Sequence, residues 1–101
     1  MAKKSMVLRD VKRAKLVKKY ARKRQELKAV IASPKARPDD KQAALEKLQA
    51  LPRDSSPSRM RSRCAITGRS RGYYQKFGLS RCKLREFTLA GFIPGMGKAS
   101  W

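Results

Sequence analysis

This chain cannot neutralise itself. Its 27 lysines and arginines face 7 aspartates and glutamates, which leaves a formal charge of +20 on 101 residues. Self-repulsion on that scale opposes a compact isolated fold, and an anionic partner relieves it. The apolar content does little to counter the repulsion. Hydrophobic residues are 41% of the sequence, but many are alanine, and the aromatics are three Phe, three Tyr and one Trp. A chain of this length makes one small domain, small domains are marginal even with good cores, and so polar a composition approaches the disordered class. The expectation is a mainly α, extended protein with little independent stability, shaped by a polyanion.

The charge is uneven. Residues 1–32 hold twelve basic and two acidic residues, residues 33–52 four and three, and residues 53–101 eleven and two. Two basic arms thus flank a nearly neutral middle, which suggests a helical module over 1–52 and a second module over 53–101. Val7, Val11, Ala14, Val17 and Ala21 recur at helical spacing, and Leu27, Val30 and Ile31 form a further cluster. They predict a helix over about 4–32, with Lys12, Arg13, Lys15, Lys18, Lys19, Arg22, Lys23 and Arg24 crowding its other faces. Ser33-Pro34 should end it, because the residue before proline disfavours the α region. A second helix is expected over about 38–51, with Pro38 at its first position, Asp39 and Asp40 at the positive end of its dipole, and Ala44, Leu45, Leu48 and Leu51 as its stripe. It should fold back on the first helix as a hairpin.

Beyond Pro52 the signals become irregular. Residues 52–63 carry two Pro and four Ser with Arg53, Arg59, Arg61 and Arg63. This stretch reads as a flexible linker or as an arginine-rich strand laid on nucleic acid, and the arginines favour the latter. Gly68, Gly72 and Gly78 with Tyr73, Tyr74 and Phe77 predict turns around a small aromatic cluster. Phe77 is assigned to a mini-core, while the two tyrosines fit either that core or base stacking. A last short helix fits Ser80 to Ala90, with Ser80 as N-cap, Leu84 and Phe87 on one face, and Gly91 as its stop. The tail from Phe92 should be irregular and docked.

Several functions fall away. Without His the chain lacks the commonest general acid and base, and Asp39-Asp40 reads as first-turn helix charge rather than a catalytic dyad, so no enzyme and no small-molecule substrate are expected. No apolar run reaches the ~18–20 residues of a spanning helix, and the N-terminus lacks a secretory signal. Cys64 and Cys82 are 18 apart with no second Cys near either. A structural zinc site needs four Cys or His ligands, so no metal or other cofactor is expected. A disulfide is possible on count but disfavoured in a reducing cytoplasm, and both cysteines are expected to be buried or semi-buried small apolar residues.

Nucleic acid remains the natural partner. Lys and Arg contacts to phosphate supply affinity through counterion release. RNA is favoured over DNA because no helix-turn-helix, homeodomain or basic-zipper pattern appears, whereas arginine-rich irregular segments interleaved with Gly and aromatics suit folded RNA. The candidate RNA-binding residues are Lys3, Lys4, Arg9, Lys12 and Arg13 in the first arm. In the second they are Arg53, Ser56, Arg59, Arg61, Arg63, Arg69, Arg71, Tyr73, Lys76, Arg81, Lys83, Arg85, Lys98 and Trp101. A basic DNA-binding regulator and a membrane-active cationic protein are the rivals. The second fits poorly, because the first helix is short of Phe and Trp.

The runs Arg63-Cys64-Ala65-Ile66-Thr67-Gly68-Arg69, Lys76-Phe77-Gly78-Leu79-Ser80-Arg81 and Arg85-Glu86 resemble the signature of the family of small-subunit ribosomal protein number fourteen. Leu51-Pro52-Arg53-Asp54-Ser55-Ser56-Pro57-Ser58-Arg59 and the ending Lys98-Ala99-Ser100-Trp101 resemble its long, zinc-free bacterial form, and the similarity extends from Met1 to Trp101. The family's short form binds zinc through two Cys-x-x-Cys knuckles twelve residues apart. Those four positions fall here on Cys64, Thr67, Ser80 and Lys83, with Cys82 beside a ligand position rather than on it. The resemblance therefore implies a zinc-ribbon-derived C-terminal module without metal. Members often carry Arg-Pro-His-Gly where this chain has Arg69-Ser70-Arg71-Gly72, and Arg71 restores a positive donor there. The resemblance further implies a structural protein, cytoplasmic within the ribosome, on the 3′ major domain of the small-subunit ribosomal RNA in the subunit head near the aminoacyl-tRNA site. It implies small-subunit proteins three, ten and nineteen as neighbours and a late role in assembly.

Overall fold

The computed structural model describes residues 2–100. It divides into one unit of residues 8–60 and one of residues 2–7 with 61–100, rather than at 52/53. The reasons are local. The Ala2 N–H donates to the Thr67 carbonyl at 3.2 Å, which ties the N-terminal residues to the second half of the chain. Asp54 and Ser55 bond to arginines of the first helix, which ties 53–59 to the helical unit.

Helix α1 spans Lys4–Ala32, and no residue in it is buried. It stops ahead of Pro34, where the Ser33 N–H donates to the Ala29 and Val30 carbonyls at 3.0 and 3.3 Å. The half-covered positions are Val7, Asp10, Arg13, Ala14, Leu16, Val17, Tyr20, Arg24, Leu27 and Ile31, while Val11, Ala21 and Val30 are exposed. Five of the eight expected apolar positions are thus covered, and Arg13 and Arg24, which have partners, take inward positions beside them. Helix α2 spans Pro38–Ala50, with Asp39 and Asp40 in its first turn. Ala44 and Leu51 are buried, but Leu45 is exposed, and Lys41 takes the flanking position instead. After a five-residue turn, 13 helical residues rise about 20 Å. The chain that follows then meets Arg24 and Arg13 of α1, so α2 runs back along α1 as the expected hairpin.

Residues 53–59 are neither linker nor extended strand. They form two 3-10 turns, Arg53–Ser55 and Pro57–Arg59. Ser55 is fully buried, and its hydroxyl donates to the Pro52 carbonyl and accepts from Arg24 Nη2 at 2.9 Å. Asp54 Oδ1 accepts from Arg13 Nε at 3.2 Å and from Arg59 Nη1 at 2.9 Å. The proline-serine composition that suggests flexibility here supplies turn geometry, and the arginines lock it.

In the other unit, Tyr73–Tyr74 (β1) and Leu79–Ser80 (β2) make a small antiparallel hairpin with Tyr73 opposite Ser80. These strands are absent from the sequence expectation. Helix α3 follows at once, over Arg81–Leu89, and buries Leu84. Its end has the two bonds of a Schellman turn, from the Gly91 N–H to the Thr88 carbonyl and from the Phe92 N–H to the Phe87 carbonyl. Gly91 takes the required left-handed conformation at φ 81°, and Phe92 meets Phe87 edge-on at 5.6 Å. Two expectations about this helix are corrected. Ser80 stands at the N-cap, yet its buried hydroxyl makes no cap bond. Cys82 is exposed, because the helix turns positions 84 and 87 inward. The tail is irregular, with Ile93 half-buried and Met96 38% exposed.

The buried apolar set is Ala44, Leu51, Cys64 and Leu84. The accessible surface is 8334 Å², against about 5,800 Å² for a compact monomer of 11.5 kDa. Polar anchors therefore carry weight that a core would otherwise carry. Ser55→Ala should cost the helical unit about 1–3 kcal/mol and speed amide exchange at Ser55 and Ser56, and Asp54→Ala should free residues 53–59 similarly. Leu45→Ser should change exchange in neither segment.

Candidate nucleic-acid interface

The few carboxylates sort the cations into two classes. Asp10 pairs with Arg13 at 3.5 Å, Glu26 with Arg22 at 3.0 Å, Asp54 with both Arg13 and Arg59, and Glu86 with Lys83 at 2.8 Å. Asp39 and Asp40 complement the start of α2, and Glu46 accepts from Gln42 at 3.3 Å. Other cations are held by neutral groups. Arg61 reaches the Ser70 carbonyl at 3.3 Å, Arg63 the Gly68 carbonyl at 3.0 Å, and Arg69 the Cys82 sulfur at 3.6 Å. Lys76 lies 5.6 Å from the Phe77 ring centroid.

Sequence reasoning thus nominated two kinds of residue. Arg13, Arg59, Arg61, Arg63 and Arg69 are engaged within the protein at loops, and Lys83 is paired within α3. Ser56 is similar, with its hydroxyl 2.8 Å from that of Ser58. By contrast, the side chains of Lys3, Lys4, Arg9, Lys12, Arg53, Arg71, Arg81, Arg85 and Lys98 meet no hydrogen-bonding or ionic partner among the described residues. Trp101 lies outside the described residues. Tyr73 is half-buried, whereas Tyr74 is 50% exposed. Strand alternation would have favoured Tyr74, but a two-residue strand is too short to read. Lys15, Lys18 and Lys23 also lie exposed on α1.

The loop from Cys64 to Arg69 is a tight knuckle. The Cys64 N–H donates to the Arg69 carbonyl at 2.9 Å, the Gly68 N–H to the Cys64 carbonyl at 3.0 Å, and the Ala65 N–H to the Gly78 carbonyl at 3.1 Å. Gly68 has φ 73°, and a Cβ there would sit 3.0 Å from Val7 Cγ2 and 3.2 Å from Ala2 Cβ, so only glycine fits. An open groove of about 310 Å³ beside the knuckle is lined by Ala2, Met6, Arg63, Arg69, Ser70 and Arg71, with no acid among them.

Cys64, Thr67, Ser80 and Lys83 converge here. Burial pushes the Cys64 thiol up. Hydrogen bonds from the Thr67 hydroxyl and from the N–H groups of Thr67, Ser80 and Ile66 outweigh it together and bring the pKa from 9.0 down to about 6. Lys83 is raised by its hydrogen bond to Glu86 and by that carboxylate's charge, with smaller contributions from Cys64 and Cys82. One sulfur, two hydroxyls and an ammonium do not suit a tetrahedral zinc site, so this donor set does not fit zinc. Among the described residues no cluster of three metal-binding side chains exists, and no helix is long and apolar enough to cross a membrane.

The profile of the ribosomal protein S14p/S29e family matches residues 47–100. That span covers the end of α2, the 3-10 turns, the knuckle, the hairpin and α3. The small ribosomal subunit protein uS14 of Idiomarina loihiensis is 58% identical over 101 residues, covering all of both chains.

A thiol lowered on folding stabilises the fold above its unfolded pKa, and that contribution is lost as pH falls through the folded value. The unit holding Cys64 should therefore lose stability as pH falls from about 9 to about 6. The ultraviolet thiolate signal should show a group titrating near 6 that Cys64→Ser removes.

Proposed function

The chain belongs to the ribosomal protein S14p/S29e family, and from that premise we propose that it is a structural, non-catalytic RNA-binding protein of the small ribosomal subunit. It lies on the 3′ major domain of the ribosomal RNA in the subunit head, near the aminoacyl-tRNA site, beside small-subunit proteins three, ten and nineteen. It joins late in assembly and rigidifies its site. Its place is the cytoplasmic ribosome.

One observation carries the RNA-binding reading. After every carboxylate has been used, Arg53, Arg71, Arg81 and Arg85 still present guanidinium groups with no partner in the described chain. Such groups match phosphate in geometry as well as charge. The arginines that are internally bonded fix the loops from which these project. Phosphate neutralisation then offsets the repulsion that the chain cannot relieve alone. The knuckle works without metal, because N–H and hydroxyl groups gather on the Cys64 sulfur where the family's short form would place further thiolates.

Binding of small-subunit ribosomal RNA should weaken steeply with salt, with a log–log slope of roughly 0.7–0.9 per phosphate neutralised. The double variant Arg53→Gln, Arg71→Gln should lower the slope by roughly one to two, as read by filter binding across a salt series. A salt-independent affinity would contradict the reading. A chelator should leave the thermal melt of the RNA-bound chain unchanged, and added zinc should not raise it.

A further inference from the structure

A second groove, of about 350 Å³, runs between Tyr74, helix α3 and the chain from Met96 to Ala99. Its size falls in the range of sites that enclose small ligands. We propose that it receives one unpaired RNA nucleotide, with the base against Tyr74, Leu89 and Met96 and the flanking phosphates on Arg81 and Arg85. This inference rests on the RNA-binding reading and names the unit of RNA that is recognised.

The lining has two halves. One is apolar and open: Tyr74 is 50% exposed, Leu89 60% and Met96 38%. In a protein with so little buried apolar surface, these side chains would otherwise be available to its core. The other half is cationic. Arg81 and Arg85 are one helical turn apart on one face of α3, and Lys98 lines the groove with them. None of the three has a partner among the described residues. Among the described residues no carboxylate lines the groove, and the one acid of α3, Glu86, is committed to Lys83.

This combination selects the occupant. A duplex presents phosphates but keeps its base faces stacked, so it would use the arginines and leave the apolar hollow empty. A free inorganic anion would do the same. A splayed-out nucleotide brings an aromatic face and a phosphate on either side of it, which is how single-stranded segments are read. The cationic rim also disfavours a basic peptide.

The test compares two RNAs with equal phosphate number, a hairpin with an unpaired loop and a fully paired duplex, against the full chain at one salt concentration. Tyr74→Ala should weaken loop binding about 5- to 100-fold and leave duplex binding within about twofold. Tyr74→Phe should retain wild-type affinity for both. Leu89→Gln, at an exposed helical position, should weaken loop binding about 3-fold or more without affecting the duplex, and it decides the matter if Tyr74→Ala proves unfolded by circular dichroism. A 2-aminopurine in the loop should be quenched by the wild type and not by Leu89→Gln. Equal loss on both RNAs in Leu89→Gln, or no loss on either, overturns the nucleotide site and assigns the groove to phosphate alone or to another occupant. A wild-type chain that binds neither RNA at low salt overturns the RNA-binding reading instead.

Discussion

The shortage of carboxylates governs this protein. Asp10, Glu26 and Glu86 pair within their own helices, whereas Asp54 makes its pairs where the chain is irregular. Through one oxygen it holds Arg13 of α1 and Arg59 of the second 3-10 turn. With Ser55 beneath Arg24, it turns a proline-serine stretch into fixed structure. Exposed pairs such as Arg59–Asp54 contribute little singly, but Ser55 is fully buried and Arg13 is only 20% exposed, so their bonds are partly shielded from water and salt. Arg61, Arg63 and Arg69 are held by neutral groups, and cations such as Arg53, Arg71, Arg81 and Arg85, which meet no partner among the described residues, join the stability of the fold to the partner that neutralises them.

The helices were legible because proline and helical spacing punctuate them strongly. The boundaries Lys4–Ala32 and Pro38–Ala50 lie within a residue of expectation. The faces were less legible. A stripe of apolar residues is a good guide only when the inward positions are apolar, and here Arg13 and Arg24 occupy them. In α2 the same effect leaves Leu45 exposed while Lys41 is half-covered. Strands of two residues carry no periodicity, so the Tyr73–Ser80 hairpin is invisible in the sequence and the choice between the two tyrosines stays open there. The aperiodic 53–59 stretch depends on contacts some 31 to 41 residues away in sequence, which local reading does not reach.

The candidate site divides along the same line. Composition identifies arginines as phosphate ligands but does not say which are already spoken for, and that depends on where a handful of acids and carbonyls fall in space. Lys83 and Arg69 read like Arg81 and Arg85 in sequence, yet Lys83 is paired with Glu86 and Arg69 rests on a cysteine sulfur. The knuckle shows a related economy. Its glycine and the N–H groups bonded around Cys64 keep a tight turn.

The central claim is that the chain's order depends on a polyanion, because its fixed charge exceeds what its interior can offset. Far-ultraviolet circular dichroism of the full chain at moderate salt, with and without small-subunit ribosomal RNA fragments, tests it most directly. The account predicts weak, non-cooperative helical signal in the free chain, a gain in helicity and a sharp melt with RNA, and reversal of that gain at high salt. A free chain that melts cooperatively, with the same midpoint whether or not RNA is present, would contradict it.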